Sequence, residues 1–533
     1  MKNLYTFIIS CLVIILLFDS CARRGRPTGG EKDKDAPILI SAEPDHKSTN
    51  FNTRKIRINF DEYIKLKDIN KQLVISPPME NQPIITPVGT ASKFIDIKIL
   101  DTLKENTTYT FNFGNSVEDN NEGNPLEQFK YVFSTGDYID SLSVSGTIAD
   151  AFNKNPDSDV SILLYEVTEN YTDSIIYNER PSYVANSLDS IGFELTNLKS
   201  GKYLMVALND ANNNYKFNPK VDKIGFLPDF ITLPTDSTYK ITLFKEETPF
   251  KLMRPSEVKK GHIYFGYEGN PKGISIEPLL QQSEDYKSNM VFEKELDSVS
   301  YWFTPIKADS IQFKVSHKSF IDTVTVKLRS KEIDSLLVSN ETRGVLNLRD
   351  TFTISTNIPI HNIDKSKIKI MDKDSVNVNF TTSLDKSKMK LSLNFDKKYN
   401  NRYQFSLLPD AVEDLFGNVN DTLNFNTSTK HPDDYGIINL SLKNVESFPI
   451  ILELIDEDFK LIESIYATEN QIFKFKSLAP KNYNFRVIYD SNKNGKWDAG
   501  DFLTRRESEK IIYRIKPIEI RANWDLNEDF ILK

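Results

Sequence analysis

Residues 192–214 read GFELTNLKSGKYLMVALNDANNN, and residues 472–494 read IFKFKSLAPKNYNFRVIYDSNKN. The two stretches align without a gap at a constant offset of 280 residues. In this alignment Phe193, Leu195, Leu198, Tyr203 and Asp210 recur as Phe473, Phe475, Leu478, Tyr483 and Asp490. Apolar and polar residues alternate in the first part of each stretch, which is typical of a half-buried β-strand. The repeat therefore predicts one β-module that the chain uses twice.

The same alternation continues through the rest of the chain. It is clear in Lys55–Phe60 (KIRINF), Thr108–Phe113 (TYTFNF), Ile311–Val315 (IQFKV) and Thr323–Leu328 (TVTVKL). Clusters of Asn, Asp, Gly and Pro separate such runs at intervals of roughly ten residues, as in β-sandwiches. The sequence therefore predicts an all-β fold of several sandwich domains, because 533 residues exceed what one core can organise.

A fainter repeat and two resemblances to known families refine this division of the chain into domains. Tyr109, Phe111, Val117 and Asp119 recur as Tyr403, Phe405, Val412 and Asp414. Residues 35–137 resemble a bacterial immunoglobulin-like domain of S-layer and other envelope proteins, through Asp35-Ala36-Pro37, Phe60-Asp61-Glu62, Tyr109-Thr110-Phe111, Gly123-Asn124 and Phe133-Ser134-Thr135-Gly136. Residues 140–250 and 434–533 resemble the transthyretin-like or collagen-adhesin B-like repeat domains, through the pattern Gly-Phe-x-Leu-x-x-Leu-x-x-Gly-x-Tyr at 192–203. Such domains are mostly spacers and stalks, which implies a non-catalytic role.

The predicted organisation is a rod-like series of tandem domains. Its parts are a lipoprotein signal peptide (1–20), a flexible tether (21–36), an Ig-like domain (37–138), a transthyretin-like sandwich (140–250), an unassigned β-domain (251–344), a second Ig-like domain (345–430) and a second transthyretin-like sandwich (434–533).

The amino terminus predicts export. A basic start precedes the apolar run Leu4–Phe18, and Asp19-Ser20-Cys21 closes it. Fifteen helical residues reach about 22 Å, short of the roughly 30 Å hydrocarbon core, which favours a signal over a permanent span. The pattern resembles a Bacteroidetes-type lipoprotein signal, in which Cys21 carries the lipid; plain secretion is the alternative. The basic stretch Ala22–Arg26 favours a periplasm-facing position on the outer membrane.

Composition excludes several classes of function. The net charge of −8 comes without long blocks of one sign, which argues against nucleic acid as a partner. The two cysteines are Cys11 and Cys21, so the body of the chain carries no disulfide, no thiolate metal site and no cysteine nucleophile. An exported chain of this kind depends on core packing, helped at most by a metal.

Two polar loops have the spacing of a calcium-binding loop, with oxygen side chains at alternate positions and glycine at the sixth. In the second repeat copy the residues are Asp490, Asn492, Asn494, Lys496, Asp498 and Asp501, with Gly495 at the sixth position. The weaker loop of the first copy has Asp210, Asn212, Asn214, Asn218 and Asp222, but Tyr215 replaces the glycine. We expect a weak, structural Ca²⁺ site, and the alternative is a metal-free turn closed by Asx hydrogen bonds.

No recognised catalytic motif occurs, so the sequence favours a non-enzymatic scaffold, adhesion or ligand-binding role. The expected partners are the membrane, through the lipid, and an envelope protein or glycan. Most aromatic residues, at alternate strand positions, are expected to belong to the core, and stretches such as Tyr301-Trp302-Phe303 are the alternative candidates for stacking on sugar rings. The competing hypothesis is an envelope glycan hydrolase with an unrecognised acid pair, for which Asp61 and Glu62 are adjacent carboxylates.

Overall fold

The computed structural model describes residues 32–279, 285–318, 320–342 and 344–533. Strands make up 48% of the structure and helices 3%, which confirms the all-β prediction. Within these residues, helices reach at most a few turns, and none has the length and apolar character needed to span a membrane. The short helices are α1 (Ile69–Gln72) and α2 (Ile175–Asn178), with 3₁₀ turns at Lys294–Leu296, Lys365–Lys367 and Pro432–Asp434.

The chain divides into two compact units. The first comprises residues up to Ser143 together with Tyr183–Leu188 and Thr196–Lys199. The second comprises Val144–Ser182, Asp189–Leu195 and Ser200–Lys533. The first unit therefore includes two short pieces of chain that lie well beyond its main body in sequence.

The first unit is built around a two-sheet sandwich. Its strands are β1 (Leu39–Glu43), β2 (Lys55–Leu66), β3 (Val74–Ser76), β4 (Ile84–Thr86), β5 (Ser92–Lys98), β6 (Thr108–Asn112), β7 (Val117–Asp119) and β8 (Lys130–Ser134). One sheet has the order β1-β2-β5-β4 with β7 on β2, and the other has the order β3-β6-β8. Phe60, Phe111 and Phe133 from the two sheets meet in one buried core, because alternate residues of each strand point inward.

The following stretch, which holds the first repeat copy, forms two further sheets. Its strands are β9 (Leu142–Asp150), β10 (Ser161–Glu166), β11 (Tyr183–Asn186), β12 (Gly192–Leu198), β13 (Gly201–Asn209), β14 (Lys223–Phe226), β15 (Ile231–Leu233) and β16 (Thr238–Leu243). β10, β13 and β14 are neighbours in one sheet, and β12-β9-β16 is the other. The first and last strands pair in parallel, from Thr238 opposite Ser145 to Leu243 opposite Asp150.

Residues 251–327 form a sandwich with its own aromatic core, which contains Phe265, Tyr301 and Phe313. Its strands are β17 (Lys251–Leu252), β18 (Ser256–Lys259), β19 (His262–Glu268), β20 (Ser275–Pro278), β21 (Ser288–Glu293), β22 (Ser298–Phe303), β23 (Ser310–His317) and β24 (Phe320–Lys327). The sheets are β17-β19-β22-β21, with β18 on β19, and β20-β23-β24.

The first strand of the next sandwich begins at Val338. Its strands are β25 (Val338–Asn340), β26 (Phe352–Thr356), β27 (Ile360–Ile363), β28 (Ile368–Met371), β29 (Phe380–Leu384), β30 (Lys390–Phe395), β31 (Arg402–Leu407), β32 (Val412–Asp414) and β33 (Leu423–Ser428). The main sheets are β25-β26-β30-β29 and β28-β31-β33.

The last stretch holds the second repeat copy. Its strands are β34 (Gly436–Lys443), β35 (Ile450–Ile455), β36 (Leu461–Ala467), β37 (Ile472–Leu478), β38 (Lys481–Tyr489), β39 (Ile511–Tyr513), β40 (Ile518–Ile520) and β41 (Asp525–Ile531). The sheets are β36-β35-β38-β39 and β37-β34-β41. β34 and β41 pair in parallel over seven residue pairs, from Ile437 opposite Asp525 to Lys443 opposite Ile531.

The internal repeat appears in the strand boundaries. β12 and β13 recur as β37 and β38 with every boundary shifted by the same 280 residues. In both copies the first strand also pairs in parallel with the last one. The repeat predicted from the sequence is therefore confirmed.

The fainter repeat corresponds to a shared corner at the start of β6 and β31. The Tyr109 hydroxyl accepts the backbone N–H of Lys104 at 2.9 Å, and the Thr135 hydroxyl donates to the Lys104 carbonyl at 2.7 Å. A Tyr hydroxyl that bonds back to the backbone a few residues upstream is a known corner of Ig-like sandwiches. In the later sandwich the Tyr403 hydroxyl accepts the backbone N–H of Lys398 at 2.7 Å, and the Thr429 hydroxyl donates to the Lys398 carbonyl at 2.6 Å.

Candidate functional site

The predicted lipidation site, Cys21, lies outside the described residues, as do the signal peptide and the start of the tether. The candidate sites that the structure describes are the two polar loops. Each follows the long central strand of a repeat copy, β13 or β38.

In the second copy, Asp490 organises the turn directly after β38. Its side chain is buried and accepts the backbone N–H groups of Asn494, at 3.0 Å, and Gly495, at 2.8 Å. Gly495 has φ +75°, a left-handed conformation that favours glycine, although a Cβ there meets nothing within 4 Å. The glycine in the motif therefore serves the backbone conformation and not a close approach.

Asp498 is the second centre of this loop. It accepts Lys496 Nζ at 2.6 Å, Asn492 Nδ2 at 2.7 Å and Asn494 Nδ2 at 2.5 Å. Burial opposes the ionised form of Asp498, but these hydrogen bonds outweigh it and hold its pKa below the usual value. Asp501 faces a different turn, where its Oδ1 accepts the N–H and the hydroxyl of Thr504.

The structure adds Glu509, which the sequence reasoning missed. Its carboxylate accepts the backbone N–H of Ser491 at 2.7 Å and of Asp498 at 3.1 Å, so it joins the two ends of the loop. Burial raises the pKa of Glu509, in the direction expected for a carboxyl removed from water.

The loop of the first copy has the same construction. Asp210 accepts the N–H groups of Asn212 at 3.1 Å and Tyr215 at 2.6 Å. Asp222, which is fully buried, accepts those of Ala211 at 3.0 Å and Asn218 at 2.7 Å. Asp222 therefore has the same role in the first loop as Glu509 has in the second. Each carboxylate accepts the backbone N–H groups of the residues one and eight places after the first aspartate of its loop, Asp210 or Asp490.

The polar atoms of the first loop are also engaged locally. Asn214 Oδ1 accepts the N–H of Lys216 at 2.8 Å, and Tyr215 adopts φ +58° at the glycine position of the motif. A tyrosine in this region is strained, and the two aspartates that bracket the turn hold it there. Burial raises the pKa of Asp210, although the N–H groups it accepts oppose this shift.

The oxygen donors of the second loop are of the kind that calcium prefers, but they already have partners. The carboxylates of Asp490 and Asp498 accept the hydrogen bonds described above, and the Lys496 ammonium lies where a cation would face Asp498. Lys496 itself can offer only its backbone carbonyl as a ligand. Across the described parts of the chain, no group of three or more His, Cys, Asp or Glu side chains is arranged to hold a metal. Calcium binding stays a prediction.

The second loop continues into a contact between the two repeat copies, and the residues that form this contact all belong to the second unit. Phe502 is fully buried, and its ring lies 5.4 Å from that of Phe226 in an edge-on arrangement. Its backbone N–H donates to Glu246 Oε1 at 2.7 Å. The loop passes close to Phe244, because a Cβ on Gly500 would come within 2.4 Å of that ring. The loop of the second copy thus inserts an aromatic side chain into the first.

Charged groups surround this insertion. The Arg505 guanidinium lies 4.5 Å from the centroid of the Phe502 ring and 5.8 Å from that of Phe230. It also forms an ion pair with Asp173 and a 3.2 Å hydrogen bond with the Tyr171 hydroxyl. A guanidinium is suited to this position because it stacks on aromatic faces while pairing in its plane.

A second patch of the same contact covers the outer face of β35 and β38. Arg486 and Glu453 form a buried ion pair there, and Arg486 also donates to the Tyr513 hydroxyl at 2.9 Å. Phe152 of the first copy lies 4.7 Å from the guanidinium and packs edge-on against Trp497. This explains why β35 and β38 are buried on both faces and lack strict alternation.

The residues considered for an enzymatic or aromatic binding site occupy structural positions. Asp61 Oδ1 accepts the N–H of Ile38 at 2.8 Å. The pKa of Glu62 is raised by burial and by nearby carboxylates such as Asp119. Tyr301, Trp302 and Phe303 are all buried, as expected for core aromatic residues of a strand, so this stretch offers no stacking surface for sugar rings. All three are interior residues, because strand β22 is buried on both faces.

Comparison with known proteins supports one part of this picture. Residues 33–135 match the family model described as a bacterial Ig-like domain, which confirms the resemblance predicted for this stretch. The match covers a minor part of the chain and does not classify the whole. No match was found among curated proteins.

Comparison with solved structures gives matches of low sequence identity and low TM-score. The surface layer protein SbsC, domains 1–6, has 12% identity and a TM-score of 0.15, over 92% of this chain and 67% of that one. The BcpA major pilin subunit of Bacillus cereus has 10% identity and a TM-score of 0.14, over 73% and 98%. The Bacillus anthracis TIE protein has 10% identity and a TM-score of 0.15, over 95% and 76%. Similarity at this level carries no functional information.

Proposed function

We propose that this chain is a non-enzymatic lipoprotein of the cell envelope that serves as a scaffold or adhesion module. A lipid on Cys21 holds it at the outer membrane, with the periplasm-facing position favoured by the basic residues after the cysteine. The Ig-like match over residues 33–135 supports an envelope role, since the sequence resemblance associates this domain with such proteins.

The observation that supports a scaffold most directly is the contact between the repeat copies. Phe502 and Arg505 fix the second copy onto the first, although 180 residues or more separate them in sequence. Separating the copies would expose the buried Phe502 ring to water and break the partly exposed ion pair between Arg505 and Asp173. Such a contact keeps the spacing of the intervening sandwiches constant, which is what a scaffold requires.

The proposal is tested against the hydrolase alternative by one experiment. The chain carrying Cys21→Ser is incubated with isolated cell envelopes, and both co-sedimentation and released reducing sugar are measured. We expect co-sedimentation without sugar release. Sugar release that disappears in the Asp61→Asn and Glu62→Gln variants would establish the hydrolase instead. The absence of both binding and release would overturn the adhesion role.

A further inference from the structure

A cavity of about 330 Å³ lies beside the 3₁₀ turn Pro432–Asp434, within the second unit. Three aromatic side chains line it, and polar groups stand around them. The aromatic residues are Tyr399, Tyr435 and Trp524, and the polar ones include Asp433, Asn523 and Asp525. We call this cavity the Trp524 groove.

Two of the aromatic rings that line the groove are partly open to solvent. Trp524 is 40% exposed and Tyr399 is 49% exposed, whereas Trp302 is buried and Trp497 is partly buried in the contact between repeat copies. Exposing large aromatic surface costs free energy that burial elsewhere would recover. Two partly exposed rings that line the same cavity make the groove a candidate binding surface.

The backbone on the Trp524 side of the groove is fixed. The Trp524 carbonyl accepts the N–H of Ile437 at 2.8 Å, and the N–H of Asn523 donates to the Tyr435 carbonyl at 2.9 Å. These bonds flank Gly436, where a Cβ would approach the Ile520 side chain to 2.5 Å. Gly436 thus permits the close approach that positions the indole, and binding needs little rearrangement of this loop.

The backbone on the Tyr399 side is fixed as well. The N–H of Lys398 donates to the Tyr403 hydroxyl at 2.7 Å, and the N–H of Asn400 donates to the Lys430 carbonyl at 3.0 Å. Tyr399 therefore sits in a short loop tied at both neighbouring residues.

The charges around the groove select the class of ligand. Lys476 lines the cavity, so a cationic ligand meets repulsion there; the Arg521 guanidinium, 5.1 Å from the centroid of the Trp524 ring, is paired with Glu519. Asp433 and Asp525 oppose an anionic ligand in the same way. A neutral polyol avoids both costs, because its hydroxyls donate to carboxylates and its C–H face packs on an aromatic ring.

We propose that the Trp524 groove binds a pyranose unit of a neutral glycan. The sugar ring stacks on Trp524 and Tyr399, and its hydroxyls bond to Asp433, Asn523 and Asp525. This deepens the proposed adhesion role and names the chemistry of its ligand. It also gives the chain a site that does not depend on the lipid, the loops or the contact between repeat copies.

The test is a titration of the full chain with four neutral oligosaccharides of gluco, N-acetylgluco, galacto and manno configuration, followed by tryptophan fluorescence and calorimetry. We expect at least one to bind with a Kd of about 0.1–1 mM and to shift the emission. Trp524→Ala should weaken that binding at least about tenfold, Trp524→Phe should weaken it less, and Tyr138→Ala, an exposed tyrosine outside the groove, should leave it unchanged.

Other outcomes decide against the proposal. The absence of binding by all four sugars at about 10 mM would overturn it, as would binding of choline in place of sugars or sugar binding that survives Trp524→Ala. Thermal unfolding of each variant separates loss of the groove from loss of the fold. Envelope co-sedimentation that persists in Trp524→Ala would leave the scaffold role standing without this groove.

Discussion

At the scale of single residues, Lys496 occupies the place where a calcium ion would compete for Asp498. Its ammonium lies 2.6 Å from Asp498 Oδ1 and 3.8 Å from Glu247 Oε1, and the bond to Asp498 raises the pKa of Lys496. The loop thus carries its own cation. Whether an added ion displaces it depends on the balance between this ion pair and the multidentate oxygen set.

We predict that calcium binds this loop with a Kd of about 10⁻⁴–10⁻³ M. At ten times the Kd, the free energy of unfolding should rise by about 1.4 kcal/mol. Lys496→Gln should strengthen binding because it removes the competing ammonium, and Asp498→Asn should weaken it. Calorimetry and thermal unfolding with and without calcium provide the measurement, with Lys493→Gln, in the same loop, as the control. If neither the natural chain nor Lys496→Gln responds, the loop closes without a metal.

His262 predicts a pH dependence of stability. Its ring stacks on Trp302 at 3.7 Å, and no hydrogen-bond partner among the described residues reaches its Nε2. Burial lowers the pKa of His262 to about 4; nearby Asp334 opposes this shift and Lys259 adds to it. The Tyr264 ring packs edge-on against the imidazole and carries no charge at neutral pH. The folded chain therefore takes up this proton less readily than the unfolded chain.

Because the pKa of His262 is lower in the folded state, the neutral imidazole makes its full contribution to the free energy of unfolding above about pH 6.5. It declines as the pH falls from there towards 4, by about 3 kcal/mol in total. His262→Phe should flatten this part of the stability profile, measured by denaturant unfolding at several pH values. His361→Phe, at an exposed histidine, is the control and should leave the profile unchanged. An identical slope in natural and His262→Phe chains would contradict the prediction.

At the scale of elements, the contact between repeat copies depends on one loop. We predict that Phe502→Ala lowers the free energy of unfolding by about 3–5 kcal/mol, because it leaves a cavity lined by aromatic rings. Leu503→Ala, at a neighbouring residue that is 60% exposed, should change it by less than about 0.5 kcal/mol. Denaturant unfolding measures both, and equal effects of the two substitutions would show that the loop does not anchor the copies.

The paired corners give a second prediction at this scale. Tyr109→Phe and Tyr403→Phe should each destabilise the chain by about 1 kcal/mol, since each leaves a backbone N–H without its acceptor. The exposed Tyr138→Phe serves as the matched control, and the measurement is again denaturant unfolding. If neither substitution lowers the free energy of unfolding, the corner hydrogen bonds do not stabilise the sandwiches.

Particular elements show how far the sequence predicts this structure. The strands of the repeat copies follow from alternation and from the constant offset, because both reflect local backbone geometry. Glu509 does not follow, since it lies nineteen residues after Asp490 whereas Asp222 lies twelve after Asp210, and the inserted residues break the offset. For Tyr301–Phe303 the sequence leaves both a core and a binding role open, because burial on both faces of a strand depends on a distant neighbour. The apolar run Ile450–Ile455, interrupted by Glu453 alone, is the sequence signal that strand β35 is covered on both faces.

At the scale of the whole molecule, the predicted anchor is Cys21. Cys21→Ser should move the protein from the membrane fraction to the soluble fraction, because a chain without the lipid keeps no apolar attachment. Fractionation with detection of the carboxyl terminus measures this, and unchanged membrane retention would contradict lipidation. Protease treatment of intact cells then distinguishes the two sides, since a periplasm-facing chain is protected and a surface-displayed one is cleaved.

The parallel pairing of first and last strands in each repeat copy has a mechanical consequence. When β34 is pulled from its start and β41 from its end, the two strands are drawn past one another along their length. The hydrogen bonds between Ile437–Lys443 and Asp525–Ile531 then carry tension together and rupture as a group, whereas a hairpin pulled at its open end unzips one bond at a time. β9 and β16 repeat this shear geometry in the first copy. Each repeat copy is thus expected to resist extension along the polypeptide more strongly than a hairpin does, a property that would suit the anchored role proposed above.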